Sequence, residues 1–277
     1  MAHRGIFKTL LQQQGVYSQD IAVIPEAVDA SLFDPALARG GGSGYRLEKT
    51  SFQLLSIFKW EHRKGWDVLL EAYWTAFSKE DDVVLRLRTY IPSFSRKQLG
   101  DNVTAHIERF AKDTRGMALH ELAPVVWERG AVSTDGMGKS EDRALTREDM
   151  RDLMASADAF VLPTRGEGWG LPIAEAMSMA LPTIVTNATG PTAYATDENA
   201  YLIDASGPGD HMGYVQPSVA ALVGLLKKVQ CEVGTGEAAA KGAAARRTMQ
   251  ELSPHKVVAM MVERIREHAL RRGYSSI

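Results

Sequence analysis

The sequence predicts an α/β fold: a parallel sheet with helices on both faces, followed by a helical C-terminal tail. Two observations support this prediction. Between residues 52 and 204, short apolar segments alternate with segments whose apolar residues have helical spacing. This alternation is typical of parallel sheets, because a crossover helix usually joins each pair of parallel strands. From Pro217 onward the spacing is helical throughout, which predicts the tail.

The predicted strands are short, apolar and rich in β-branched residues, as expected for strands covered on both faces. VVLRLRTY at 83–90 alternates in polarity, whereas AFVLP at 159–163 is continuously apolar. Strands are predicted at 21–25, 53–58, 83–90, 123–129, 159–163, 183–187 and 200–204.

The predicted helices carry recognisable start and stop residues. Gly15 ends the first of them. Thr146 is expected to cap a later helix, and Pro172 is expected at the first position of another. The glycines of 38–49 predict a flexible loop. Helices are predicted at 4–14, 64–78, 101–114, 146–157, 172–180, 217–229, 237–251 and 254–271.

Composition excludes several classes of protein. The chain has 277 residues and a net charge of −2, so no global charge attracts nucleic acid or an anionic membrane. No apolar stretch reaches the roughly 18 residues of a transmembrane helix. Cys231 is the single cysteine, which forbids an internal disulfide and fits a reducing compartment, so we expect a cytoplasmic location. The seven histidines are scattered without metal-ligand spacing, and we expect no metal site.

Two loops that follow predicted strands carry candidate chemistry. The first, after 53–58, contains the cations Lys59, Arg63 and Lys64 just before a helix. Cations at a helix N-terminus oppose the helix dipole, so they make sense where an anion such as a phosphate binds. A solvated basic turn is the alternative interpretation.

The second loop, after 159–163, is rich in glycine and holds two carboxylates. Its glycines let a backbone approach a ligand closely. Glu167 and Glu175 bracket the loop and the first turn of the next helix. Two carboxylates can bind the hydroxyls of a sugar or ribose, and a glycosidase would use such a pair for acid–base chemistry. A purely structural turn is the alternative.

The residues of both loops resemble a known family. EGWGLPIAE at 167–175 resembles the E-x7-E signature of retaining glycosyltransferases with the GT-B fold, especially glycosyltransferase family 4, the glycosyl transferases group 1. LSIFKWEHRKGWDVLLEAY, which begins at Leu55, resembles the phosphate-contacting loop of that family. VIPEAVDASLFDP at 23–35 resembles its interdomain connector. The resemblance implies Rossmann-like domains, of which this chain would be the C-terminal, donor-binding half.

The resemblance also implies roles for individual residues. Glu167, Lys64 and Lys59 would form the catalytic set, with both lysines on the diphosphate and Glu167 at the donor sugar. Glu175 would hold the ribose hydroxyls. The other substrate-binding residues implied are Gly168, Trp169, Gly170, Leu171, Gly190 and Thr192. Lys59 stands where the family usually has Arg, Ala180 replaces a common Gly, and the segment after Gly190 lacks an acidic residue often found there.

By the same resemblance, residues 1–50 would be the remnant of an acceptor-side domain with its connector. Residues 51–277 would be the nucleotide-sugar-binding domain. The implied reaction is transfer of a glycosyl group, with retention, from a UDP- or GDP-linked sugar to an acceptor, without cofactor or metal. An N-terminal acceptor-binding domain or subunit would be supplied in trans.

Other classes of protein remain as alternatives to this enzyme. One is a nucleotide-sugar-binding module, or a truncated inactive relative, that needs a partner for turnover. A sugar-nucleotide epimerase or a phosphorylase-like protein is disfavoured, since neither usually carries EGWGLPIAEAM. A dinucleotide oxidoreductase is disfavoured further, because no GxGxxG follows the first strand of the sheet.

Overall fold

A computed structural model of the protein describes residues 23–38, 51–90, 102–127, 145–207, 214–233 and 235–272. Six strands form one parallel sheet in the order β3-β2-β1-β4-β5-β6. This confirms the predicted fold class. The strands are β1 (Phe52–Lys59), β2 (Val83–Tyr90), β3 (Val125–Trp127), β4 (Ala159–Leu162), β5 (Thr183–Thr186) and β6 (Tyr201–Ile203).

Seven α-helices accompany the sheet in the described part of the chain. Helix α1 packs against α5, and α4 packs against α6. The central strands β1 and β4 are almost completely buried, as expected for a sheet covered on both faces. The helices are α1 (Trp66–Ala76), α2 (Val103–Arg115), α3 (Arg147–Ala155), α4 (Leu171–Ser178), α5 (Val219–Glu232), α6 (Gly236–Glu251) and α7 (Pro254–Arg271).

Helix boundaries agree with the sequence except where backbone geometry intervenes. Thr146 caps α3 as predicted, and its hydroxyl accepts from the Asp149 N–H at 3.1 Å. Helix α1 begins two residues later than predicted, because a 3-10 turn precedes it and Gly65 lies at φ 71°. Helix α4 begins at Leu171, which makes Pro172 its second residue rather than its first.

Several predicted elements differ from the structure or lie outside it. Residues 23–25 form no strand, contrary to the prediction for 21–25, and Val23 is 58% exposed. Residues 21–22, the predicted helix at 4–14 and most of the glycine-rich loop lie outside the described residues. A short antiparallel pair, β7 (Ala205–Ser206) with β8 (Gln216–Pro217), was not predicted.

Helix α4 ends in a left-handed turn at Ala180, one of the departures from the family pattern. The Leu181 N–H donates to the Ala176 carbonyl and the Ala180 N–H to the Met177 carbonyl, each at 3.1 Å. This is the Schellman arrangement, in which the residue after the cap is usually glycine. Here that residue is Ala180, at φ 55°.

Residues 23–38, called the connector below because 23–35 resemble that segment of the family, are bonded to the rest of the described structure. The Val28 N–H donates to the Leu252 carbonyl at 2.9 Å. Arg246 of α6 pairs with Asp34 at 2.6 Å and donates to the Ser178 carbonyl at 2.7 Å. The connector therefore packs against the ends of α4 and α6. Among the helices that the structure describes, none combines the length and apolarity needed to cross a membrane.

Candidate functional site

The strand order reverses direction between β1 and β4, which lie side by side. Their register pairs Leu54 with Ala159 and Leu55 with Phe160. In sheets of this order, ligands bind outside the carboxyl ends of the strands at this switch point. The loops that follow the two strands, 60–65 and 163–170, meet there. At Gly65 a Cβ would lie 1.9 Å from the Pro163 carbonyl oxygen, so the two backbones are in direct contact.

The two loops bring cations and a carboxylate together. Lys64 Nζ lies 2.6 Å from Glu167 Oε1, and Arg63 Nη1 lies 3.3 Å from Glu167 Oε2. The Glu167 side chain is only 7% exposed and that of Lys64 is 12% exposed. A buried carboxylate requires such compensation. The structure therefore unites the predicted residues Lys64 and Glu167, and it adds Arg63, a loop cation that the family resemblance did not place in the site.

Backbone contacts hold Glu167 against the loop after β5. The Glu167 N–H donates to the Thr189 hydroxyl, and the Gly190 N–H donates to the Glu167 carbonyl, both at 3.0 Å. A Cβ at Gly190 would lie 2.0 Å from the Gly168 carbonyl oxygen, so only glycine fits. The Thr192 hydroxyl donates to the Thr189 carbonyl at 2.7 Å. Gly190 and Thr192 thus support the site through bonds within the protein.

The start of α4 faces the same edge of the sheet. Gly170 precedes the helix at φ 91°, a conformation that favours glycine. The first amides of a helix have no carbonyl partner within the helix, which makes them donors for an anion or hydroxyl. These amides include that of Leu171, whose side chain is 42% exposed. Around Gly168 a Cβ would meet no atom within 4 Å, so this side of the loop is open.

A tyrosine supports the same turn. Tyr194 is buried, and its hydroxyl donates to the Trp169 carbonyl at 2.8 Å. The rings of Trp169 and Tyr194 lie 4.9 Å apart. Burial, together with the negative charge of Glu167, holds the pKa of Tyr194 well above its ordinary value. The hydroxyl therefore stays protonated and keeps its role as a donor.

Glu175 lies on α4, one turn beyond the Gly-rich loop. Burial raises its pKa to about 7, and the positive charge of Arg147 opposes part of this rise. Arg147 itself pairs with Asp29 of the connector at 3.3 Å. Glu175 is thus a carboxyl group that titrates near neutral pH.

Lys59, predicted beside Lys64, is the last residue of β1 and is exposed. Within the described chain, the cations that pair with Glu167 are Arg63 and Lys64 rather than Lys59. A role for Lys59 toward a ligand stays a prediction.

Sequence reasoning missed Arg165 and its partner Asp67. Arg165 donates to both oxygens of Asp67 at 2.7 Å. Arg165 stands in the Gly-rich loop and Asp67 in the first turn of α1, where an acid is common for its favourable interaction with the helix dipole. Neither position signals a partner in the other loop. As for metals, the residues that the structure describes contain no group of three or more His, Cys, Asp or Glu side chains able to hold an ion.

Residues 139–216 match the family model described as Glycosyl transferases group 1. The matched segment contains Glu167, Glu175 and Gly190. This match covers less than a third of the chain. The chain is 25% identical over 202 residues to the D-inositol 3-phosphate glycosyltransferase of Paenarthrobacter aurescens. The aligned region covers 73% of this chain and 43% of that protein. The chain therefore spans less than half the length of this curated relative.

Solved structures share the fold at lower identity. A glycosyltransferase from Rickettsia africae superimposes with a TM-score of 0.68 and 18% identity, covering 94% of this chain and 60% of that one. Anabaena Alr3699/HepE in complex with UDP and glucose gives a TM-score of 0.65 and 16% identity, with the same coverage of 94% and 60%. These likenesses confirm the predicted GT-B-type architecture.

Proposed function

We propose that this chain binds the nucleotide-sugar donor of a retaining glycosyltransferase, a UDP- or GDP-linked sugar, at the switch point between β1 and β4. The observation that carries the proposal is the buried pair of Lys64 and Glu167, 2.6 Å apart, between the loops that lead into α1 and α4. The Lys64 ammonium can donate to a phosphate oxygen, and the Glu167 carboxylate can accept from a sugar hydroxyl. The group 1 family match over residues 139–216, which contain Glu167 but not Lys64, and the UDP complex of a structural neighbour support the assignment.

The chemistry centres on the departing diphosphate. The bond between the anomeric carbon and the diphosphate oxygen breaks, the same carbon bonds to an acceptor oxygen, and the proton of that acceptor hydroxyl passes to the departing diphosphate. Negative charge develops on the diphosphate as it departs. Lys64, with Lys59 nearby in the chain and the amides at the start of α4, supplies positive charge that stabilises it. Removing one such donor typically lowers the rate about 100–1,000-fold.

The remaining residues would orient the donor. Glu175 accepts from the ribose hydroxyls, and Glu167 accepts from a hydroxyl of the sugar. The open side of Gly168 gives the sugar access to the loop. The backbone amides of Trp169, Gly170 and Leu171 contact the sugar and phosphate, while Gly190 and Thr192 hold the loop that closes over the pyrophosphate.

The acceptor would come to this site with a second domain or subunit. Because the chain spans 43% of the curated relative, the full reaction and its acceptor are part of the proposal. A binding module without turnover of its own would show donor binding but no release of nucleoside diphosphate from the sugar. Measuring both quantities on the same protein separates the two alternatives.

The test is calorimetric titration of the purified chain with UDP, GDP and their glucose conjugates. We expect saturable binding of one base series. Lys64→Gln should weaken binding about 10–100-fold, the range for a charge-assisted hydrogen bond. Lys79→Gln is the matched control. Lys79 is an exposed lysine in the turn that precedes the amino end of β2, whereas the site lies at the carboxyl ends of the strands. A folded chain that binds neither UDP nor GDP would refute the proposal.

A further inference from the structure

Two arginines connect the loops at the switch point, and each reaches from its own loop to the other. Arg63, from the loop after β1, reaches the loop after β4 and donates to the Gly166 carbonyl at 2.5 Å. Arg165, from the loop after β4, reaches back and donates to the His62 carbonyl at 2.8 Å. Each guanidinium thus bonds to the backbone of the opposite loop. We call Arg63 and Arg165 the crossing arginines.

Arg165 is the better anchored of the two crossing arginines. Its side chain is 6% exposed and donates to Asp67 through two nitrogens, each at 2.7 Å. Its Nε donates to Gln216 at 3.0 Å. Burial would raise the pKa of Asp67, but the hydrogen bonds and charge of Arg165 outweigh it and hold the pKa below its ordinary value. Asp67 is therefore an ionised partner throughout the neutral range.

Backbone bonds make the same connection. The Arg165 N–H donates to the Arg63 carbonyl at 2.8 Å, and the Thr164 hydroxyl donates to the same carbonyl at 3.1 Å. Lys64 and Glu167 each lie within two residues of these bonds. The relative position of the two functional side chains is thus fixed by groups outside the ligand-facing surface.

We propose that Arg165 is a positioning residue that assembles the Lys64–Glu167 pair before the ligand arrives. This inference rests on the proposed nucleotide-binding function. Arg165 is buried and its donors point to protein groups, so it acts through the loops and not through contact with the ligand. Lysine cannot replace it, because one ammonium lacks the planar fork that bonds both Asp67 oxygens while also reaching His62. Without that fork the loops are held together by fewer bonds and their relative position is less fixed, so binding must then restore their geometry.

The test compares Arg165→Lys with a matched control, Arg151→Lys. Arg151 is also buried and pairs with an aspartate, Asp152, but both lie on α3. The dissociation constant for UDP or GDP is measured by calorimetry on variants that unfold cooperatively. We expect Arg165→Lys to raise it about 10-fold or more, the range for a lost charged hydrogen bond, and Arg151→Lys to change it less than twofold. Asp67→Asn should reproduce the effect, and it replaces Arg165→Lys if that variant does not fold.

Hydrogen–deuterium exchange of the ligand-free protein gives a readout independent of nucleotide. Arg165→Lys should speed exchange in the peptide covering 59–67, on the opposite loop, whereas Arg151→Lys should not. Equal affinities of Arg165→Lys and wild type would overturn the positioning role, and so would unchanged exchange at 59–67. If the wild type binds neither UDP nor GDP, the proposed function fails, while the exchange measurement still tests the connection between the loops.

Discussion

Glu175 gives the protein a predicted pH dependence of nucleotide binding. Burial raises its pKa to about 7 from an ordinary value of 4.5. At pH 6 the carboxyl is therefore mostly protonated in the free protein. A carboxylate that accepts hydrogen bonds from two ribose hydroxyls must be ionised, so binding should strengthen as the pH rises through 7.

The expected size of this effect follows from linkage between proton and ligand. If the ligand binds only the ionised form, the apparent dissociation constant rises by the ratio of total to ionised protein. For a pKa of about 7, the constant is about 11 times the limiting value at pH 6 and about 1.1 times at pH 8, a change of about tenfold. Stability moves the opposite way. A raised carboxyl pKa favours folding while the group is protonated, so this contribution is complete below about pH 4.5 and is lost as the pH rises through about 7.

The assay is calorimetric titration from pH 6 to pH 8 with the nucleotide sugar that binds. The diphosphate of a nucleotide sugar is esterified at both ends, so it does not titrate in this range. A free nucleoside diphosphate is unsuitable, because its last proton leaves near about pH 6. Glu175→Gln should bind more weakly than the wild type at pH 8, because an amide replaces the carboxylate, and its dissociation constant should not change with pH. Its unfolding free energy should not fall between about pH 4.5 and pH 7, as that of the wild type does. A tenfold pH dependence that persists in Glu175→Gln would refute the assignment, as would a flat profile in the wild type.

Two further predictions concern backbone conformation, one in the loops of the site and one just beyond the far end of α4. Gly190→Ala would place a Cβ 2.0 Å from the Gly168 carbonyl oxygen, so it should lower the unfolding free energy by about 2 kcal/mol or more. Gly168→Ala, with no atom within 4 Å of the new Cβ, should change it by less than about 0.5 kcal/mol; equal effects in chemical denaturation would contradict this contrast. Ala180→Gly should raise stability by about 1 kcal/mol, because Ala180 lies at φ 55°, and an unchanged or lower melting temperature would argue against strain there.

The sheet could be predicted from sequence because its strands carry a repeated local pattern. β2 at Val83–Tyr90 and the cap at Thr146 agree with the prediction to the residue. The failures are at places where backbone conformation overrides pattern. Helix α1 begins later than predicted because Gly65 lies at φ 71°, and residues 23–25 of the strand predicted at 21–25 remain outside the sheet. Apolar composition alone does not provide a strand with a pairing partner.

The site was predictable only in part, for a related reason. Lys64 and Glu167 stand in loops whose place at the strand ends follows from the fold class, so their meeting could be expected. Arg165 and Asp67 are 98 residues apart, and nothing in either local segment indicates the other. Pairing between distant side chains depends on the register of β1 and β4, which one sequence does not reveal.

The pairing of Lys64 with Glu167 has a consequence for donor binding. An ammonium group has three N–H donors, and Glu167 Oε1 accepts one of them at 2.6 Å. Two donors therefore remain for phosphate oxygens without release of Glu167. The carboxylate also accepts from Arg63 at 3.3 Å, so it stays in place when the diphosphate oxygens bond to Lys64. We therefore expect the donor to enter a site whose charges are already in position, with Lys64 bonded to Glu167 and to the diphosphate at once.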